Sequence, residues 1–154
     1  MTAPKILIDN RQKAMVSTPG LRKKTELILN ALGCDHQEIS IVIMDDAQIR
    51  ELNQNFRGIC RPTNVLAFPM QEGEFSDITP ELLGDVVISA QTARKEADAA
   101  GITLEERMSQ LLVHGILHLL GFDHEAPASN AQEMETKSLE ILRQIENNSD
   151  LEAF

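Results

Sequence analysis

The feature that most constrains this fold is an apolar run at residues 111–120, interrupted only by His114 and His118. Thr103-Leu-Glu-Glu106 has the form of a capping box and predicts where the helix containing this run begins. Gly121 predicts its end, with the glycine in the left-handed conformation. A helix that is apolar on nearly every side is buried. The rest of the chain must therefore fold around this helix.

The histidine spacing predicts a metal site. His114 and His118 are four positions apart, so their rings point the same way on a helix, and His124 follows Gly121 by three residues. A turn at the glycine could bring His124 back to the same point. Two core imidazoles without a shared partner would each cost about 1–3 kcal/mol. Three imidazoles instead form a zinc ligand set that leaves the fourth position open, as in catalytic sites.

The motif His-x3-His-x2-Gly-x2-His resembles that of the metzincin peptidases, with one difference. Those enzymes carry a glutamate base after the first histidine, where this chain has Gly115. Asp123 either holds a ligand ring by a hydrogen bond or serves as a turn residue. The sequence leaves the metal open among zinc, nickel, copper and cobalt. The roles of His36, Cys34 and Cys60 also stay open.

Length and composition favour one domain over residues 1–154. The core must be aliphatic, because the chain has five Phe and neither Trp nor Tyr. A net charge of −10 argues against a broad nucleic-acid surface, so an RNA partner would need a local basic patch. No signal peptide or membrane span is expected. The two cysteines are predicted to be free thiols in a reducing cytoplasm.

Hydrophobic periodicity predicts an α+β fold, with a small mixed sheet of about four strands, about five helices and a metzincin-like zinc-binding helix. Strands are predicted at residues 5–9, 38–44, 64–68 and 85–89. Helices are predicted at residues 19–31, 46–57, 90–100 and 104–120, with a last one that includes Met134 and Ile145. Residues 70–84 are predicted to be a loop, and Ile49, Leu52 and Phe56 to share an apolar helix face.

With Gly115 in place, residues 114–124 resemble the signature of the YbeY family, the bacterial rRNA-maturation endoribonucleases. Three further blocks, at residues 52–58, 62–69 and 83–88, match that family in order and spacing. The departures are mild: Phe122 stands where Tyr is common, and Ala67 where Ser is common.

The resemblance implies a metal-dependent endoribonuclease that prefers single strands and acts in the cytoplasm. It would mature the 3′ end of small-subunit ribosomal RNA, act in ribosome quality control, and meet the small subunit and its assembly proteins. Arg57 matches the family's functional arginine and could clamp a phosphate, with Arg61 assisting. Two alternatives stay open: an assembly factor with a structural metal, and another zinc hydrolase. Gly115 argues against a peptidase.

Overall fold

The computed structural model describes residues 5–34, 37–70, 82–121 and 128–146 of the chain. Within these ranges it confirms an α+β fold. The strands are β1 (Lys5–Asn10), β2 (Glu38–Met44), β3 (Val65–Pro69) and β4 (Leu82–Ser89). The helices are α1 (Thr18–Ala31), α2 (Asp46–Arg57), α3 (Ala90–Ala100), α4 (Leu104–Leu119) and α5 (Ala128–Glu146). None of the described helices has the length and apolar character needed to cross a membrane.

The strands form one mixed sheet in the order β1-β2-β4-β3. Strands β1, β2 and β4 are mutually parallel, and β3 runs antiparallel to β4. Parallel neighbours need a crossover connection, and α1 supplies one between β1 and β2. β1 and β3 are therefore the edges of the sheet, and β4 lies between β2 and β3.

The two faces of the sheet carry separate apolar layers. One face presents Ile41, Val86 and Ile88 to helices α1, α3, α4 and α5, and this is the main core. The other face presents Leu66 and Val87 to α2. Side chains alternate between faces along a strand, so neighbours such as Val86 and Val87 serve different layers. As a result, α2 and α4 lie on opposite faces of the sheet.

The loop predicted at residues 70–84 extends too far at its C-terminal end, because the last three of these residues belong to a strand. β4 begins at Leu82, so the strand includes a glycine that the sequence pattern assigned to the loop. Gly84 has φ +139°, and a Cβ there would lie 2.2 Å from the Phe68 carbonyl oxygen. The strand needs glycine because the backbones of β3 and β4 approach closely at this point. Residues 71–81 lie outside the described ranges.

The apolar face predicted for α2 is only partly buried. Ile49 is fully buried and Leu52 is half-buried, but Phe56 is 66% exposed. The ring of Phe56 meets Phe68 edge-on, with centroids 5.3 Å apart. The rest of the Phe56 ring faces solvent.

Candidate functional site

The ends of α4 are set by local sequence, as predicted. Thr103 is the N-cap, and its Oγ1 accepts a hydrogen bond from the Glu106 backbone N–H at 3.1 Å. The helix ends at Leu119, and Gly121 has φ +96°, in the region that favours glycine. These two ends place the histidines in the last two turns of the helix.

The structure brings His114 and His118 together. Their ring centroids are 4.8 Å apart, with the ring planes inclined by 51°. Both side chains are half-buried, whereas the neighbouring Val113, Gly115 and Leu117 are fully buried. One face of an otherwise buried helix thus offers two imidazoles at an opening to solvent. Two adjacent imidazoles suit one zinc ion chemically.

The other predicted members of this site cannot be placed. His124 and Asp123 lie outside the described ranges, as does His36. Within the part of the chain that is described, no group of three His, Cys, Asp or Glu side chains could hold a metal. The three-histidine ligand set therefore stays a prediction, with two of its members shown to be adjacent. Cys34 is buried and Cys60 is exposed.

Gly115 lies where α4 packs directly against the sheet. A Cβ at this position would be 2.7 Å from Cγ1 of Val86 and 3.3 Å from Cγ2 of Val65. Position 115 therefore faces β3 and β4, away from the solvent opening beside the histidines. A glutamate here would displace the helix before it could act as a base. The close packing of α4 on the sheet thus explains why position 115 carries glycine and not the glutamate of the peptidases.

A polar network continues the histidine face toward the start of α4. Arg107 donates through Nε and Nη2 to one oxygen of Glu96, at 3.1 and 3.0 Å. Its Nη1 donates to Gln110 Oε1 at 2.6 Å, and Asn64 Nδ2 donates to both Glu96 oxygens at 3.2 and 3.3 Å. Sequence reasoning missed this network. The sequence contained a signal for it: Arg107 and Gln110 precede His114 by seven and four residues, which places all three on one face of the helix.

A second network holds the start of α2 against α3. The Asp46 carboxylate accepts from Ser89 Oγ at 2.6 Å, Thr92 Oγ1 at 2.5 Å and Lys95 Nζ at 2.9 Å. Burial alone would raise the pKa of Asp46, but these hydrogen bonds and the Lys95 charge outweigh it and lower the pKa. Asp45 is the N-cap of α2, while Asp46 bridges the two helices.

Arg57 ends α2 and is exposed, as is Arg61 in the following loop. The turn between them depends on Gly58, with φ +70°. Buried Asn53 donates from Nδ2 to the Arg61 carbonyl oxygen at 2.9 Å, and the backbone carbonyl oxygen of Asn53 accepts from the Ile59 N–H at 3.3 Å. Asn53 therefore ties the loop to α2, a role that sequence reasoning missed.

The two halves of the predicted site stand on different faces of the sheet. Arg57 belongs to α2, and the histidines belong to α4. Edge strand β3 runs between them, with Leu66 in the layer under α2 and Val65 packed against the layer under α4. The two histidines are therefore adjacent to each other, whereas Arg57 comes from the helix on the other side of β3.

Known proteins resemble this chain over nearly all of its length. The family model described as Endoribonuclease YbeY matches residues 7–146. Endoribonuclease YbeY of Geobacter sulfurreducens is 48% identical over 145 residues, covering 93% of this chain and 97% of that protein. The Aquifex aeolicus protein of the same name is 49% identical over 114 residues, covering 74% of each chain.

The fold has a counterpart among solved structures. A solution structure of a Thermotoga maritima protein superposes with a TM-score of 0.65 at 28% identity, covering 94% of this chain and 89% of that one. The sequence matches extend through α2, the β3 and β4 strands and α4, which together carry the arginine and the histidine pair. The chain therefore belongs to the Endoribonuclease YbeY family.

Proposed function

We propose that the chain is a zinc-dependent endoribonuclease that cuts single-stranded RNA during 3′-end maturation of small-subunit ribosomal RNA and in ribosome quality control. Family membership supports RNA cleavage, since the curated relatives bear the name endoribonuclease. The observation that carries the metal is the adjacent pair His114 and His118 on the open face of α4. The proposed activity takes place in the cytoplasm, and its proposed partners are the small ribosomal subunit and its assembly proteins.

His114, His118 and His124 would hold the metal, with Asp123 fixing a ligand ring by accepting its N–H. When bound, zinc supplies a Lewis acid for the phosphate and water acidified to a pKa of about 7. The protein contributes a rigid helix. Because α4 is buried around its histidines, their rings are held in place before substrate arrives, which lowers the cost of assembling the site.

The direction in which residue 115 faces supports a phosphate substrate over a peptide. Peptidases with a similar motif need a carboxylate base beside the first histidine. Here that position contacts Val86 and has no room for one. Cleavage of RNA needs no such base on the helix if positive charge stabilises the phosphate as it reacts.

Arg57 would supply that charge. Its guanidinium is exposed at the end of α2, where it can donate two parallel hydrogen bonds to one phosphate. Since α2 and α4 cover opposite faces of the sheet, an RNA strand that passes around edge strand β3 would contact both Arg57 and the histidines. Arg61, on the loop leading to β3, would contact the same strand of RNA.

The test measures metal content and RNA cleavage together. Purified protein should hold about one zinc per chain by elemental analysis and should cut labelled single-stranded RNA. His114→Ala should lose metal and cleavage, while Arg57→Ala should keep the metal and lose cleavage. Arg50→Ala is the matched control, because Arg50 is exposed on the same helix. Cleavage that persists after metal removal, in preparations cleared of other nucleases, would refute zinc dependence.

A second candidate function is ribosome assembly with a mainly structural metal. The net charge of −10 favours it, as does the absence of a base at Gly115. His124→Ala separates the two candidates in a variant that still folds. Loss of RNA cutting with ribosome association intact supports catalysis; loss of association, with RNA cutting never detected, supports assembly.

A further inference from the structure

A groove of about 690 Å³ runs between α2 and the sheet, on the face opposite the histidines. Its floor is apolar and comes from Val42, Met44 and Val87. Pockets for small ligands measure about 300–1,000 Å³. The groove therefore has the size to take one or two units of a polymer.

Aromatic rings form one side of the groove. Phe56 and Phe68 both line it, and their rings meet edge-on at 5.3 Å. The chain has only five Phe and neither Trp nor Tyr, yet Phe56 is 66% exposed. An exposed aromatic ring beside a groove presents a flat apolar face to whatever enters. Nucleic-acid bases stack on such faces whatever their identity.

Polar groups in the same groove match the edges of bases. Asp85 lies on central strand β4, opposite Phe68 in the β3–β4 register, and is half-buried. A carboxylate among the mostly apolar side chains of a central strand conflicts with core packing, a conflict typical of functional positions. Gln48 and Asn55 add amides from α2, Glu51 adds a second carboxylate, and Arg11 adds a positive charge. Carboxylates repel phosphate but accept hydrogen bonds from base N–H groups.

We propose that this groove, defined by Phe56, Phe68 and Asp85, binds a base of the single-stranded RNA substrate. The inference rests on the proposed function, because it extends the phosphate contact at Arg57 by one nucleotide. Phe56 and Arg57 both lie in the last turn of α2, so neighbouring nucleotides of one RNA strand could reach the ring and the guanidinium. Guanine is the favoured base, since its two adjacent N–H donors can bind both oxygens of the Asp85 carboxylate.

The absence of tryptophan from the chain permits a direct test. Phe56→Trp keeps an aromatic face and makes residue 56 the sole tryptophan. Single-stranded RNA containing guanine should quench its fluorescence when the base stacks. Leu7→Trp is the matched control: Leu7 is 51% exposed on β1 and does not line the groove, so this reporter should stay unquenched.

Binding of labelled RNA measures the contribution of the base. Phe56→Leu retains an apolar side chain but removes the stacking face, and should weaken binding by about tenfold. An oligonucleotide with abasic sites should bind the natural protein with a similar loss, and Phe56→Leu should not weaken its binding further. Asp85→Asn should reduce the preference for guanine over uracil.

The possible results distinguish a failure of the groove assignment from a failure of the proposed endoribonuclease activity. If the natural protein cuts RNA but abasic and intact oligonucleotides bind equally, the groove assignment is wrong and the endoribonuclease stands. Equal quenching at positions 7 and 56 would also overturn it, as would unchanged RNA affinity in Phe56→Leu, the result expected if the groove binds another protein. If the natural protein neither binds nor cuts RNA, the groove assignment and the proposed function both fail.

Discussion

Replacing Gly115 with alanine should destabilise the protein, although alanine is the better helix former. Alanine in a helix interior is favoured over glycine by about 1 kcal/mol. Against this gain, the new Cβ would lie 2.7 Å from Val86 Cγ1, well inside ordinary contact. Val86 is fully buried and its χ1 is stiff, so the helix or the strand must shift. Overpacking of this kind costs about 1–3 kcal/mol.

Subtracting the helix gain of about 1 kcal/mol leaves a net loss of up to about 2 kcal/mol, which lowers the melting temperature of a chain of this size by up to about 8 °C. Thermal unfolding followed by circular dichroism measures it. Gly20→Ala is the matched control, because a Cβ there meets only Ser17, at 3.4 and 3.5 Å. Gly20 also lies in a helix, so this variant should gain stability, by about 0.5 kcal/mol.

The contact can be isolated by a double-mutant cycle. Val86→Ala removes both methyl groups that a Cβ at position 115 would strike. Combined with Gly115→Ala, it should cost less than the sum of the single changes by about 1 kcal/mol. The close packing of α4 on the sheet would be refuted if Gly115→Ala melted as high as Gly20→Ala, or if the two substitutions were additive.

Three other predictions concern stability and reactivity. Asp46 has a lowered pKa in the folded protein, so its contribution is present above the unfolded pKa of about 3.9 and is lost as pH falls through the folded pKa. Urea unfolding at stepped pH should show Asp46→Asn less stable at neutral pH, with the difference shrinking in acid; a constant difference would contradict this. Arg107→Ala should cost about 1 kcal/mol in urea unfolding, because the Glu96 carboxylate loses its charged donor but keeps solvent access and the Asn64 amide. A thiol reagent should modify exposed Cys60 quickly and buried Cys34 only on unfolding, and equal rates would show that Cys34 is accessible.

Much of the candidate site could be predicted because its signals are local. The i, i+4 spacing of His114 and His118 is enough to place both rings on one face once the segment is helical. The missing glutamate at Gly115 could be seen in the sequence, but its physical cause could not. That cause is contact with β3 and β4, which lie 50 and 29 residues upstream at Val65 and Val86.

The sequence by itself determined the elements whose signals lie within a few residues: the ends of α4, the histidine pair, and the strands with β-branched runs. The tertiary structure decided everything that depends on distant neighbours. In the tertiary structure Gly84 is part of β4, and Phe56 is exposed beside a groove. A hydrogen bond joins Asn64 to Glu96 near the start of α4. The tertiary structure also set Arg57 and the histidines on opposite faces of the sheet. Periodicity shows which side of an element is apolar, but only packing decides what that side meets.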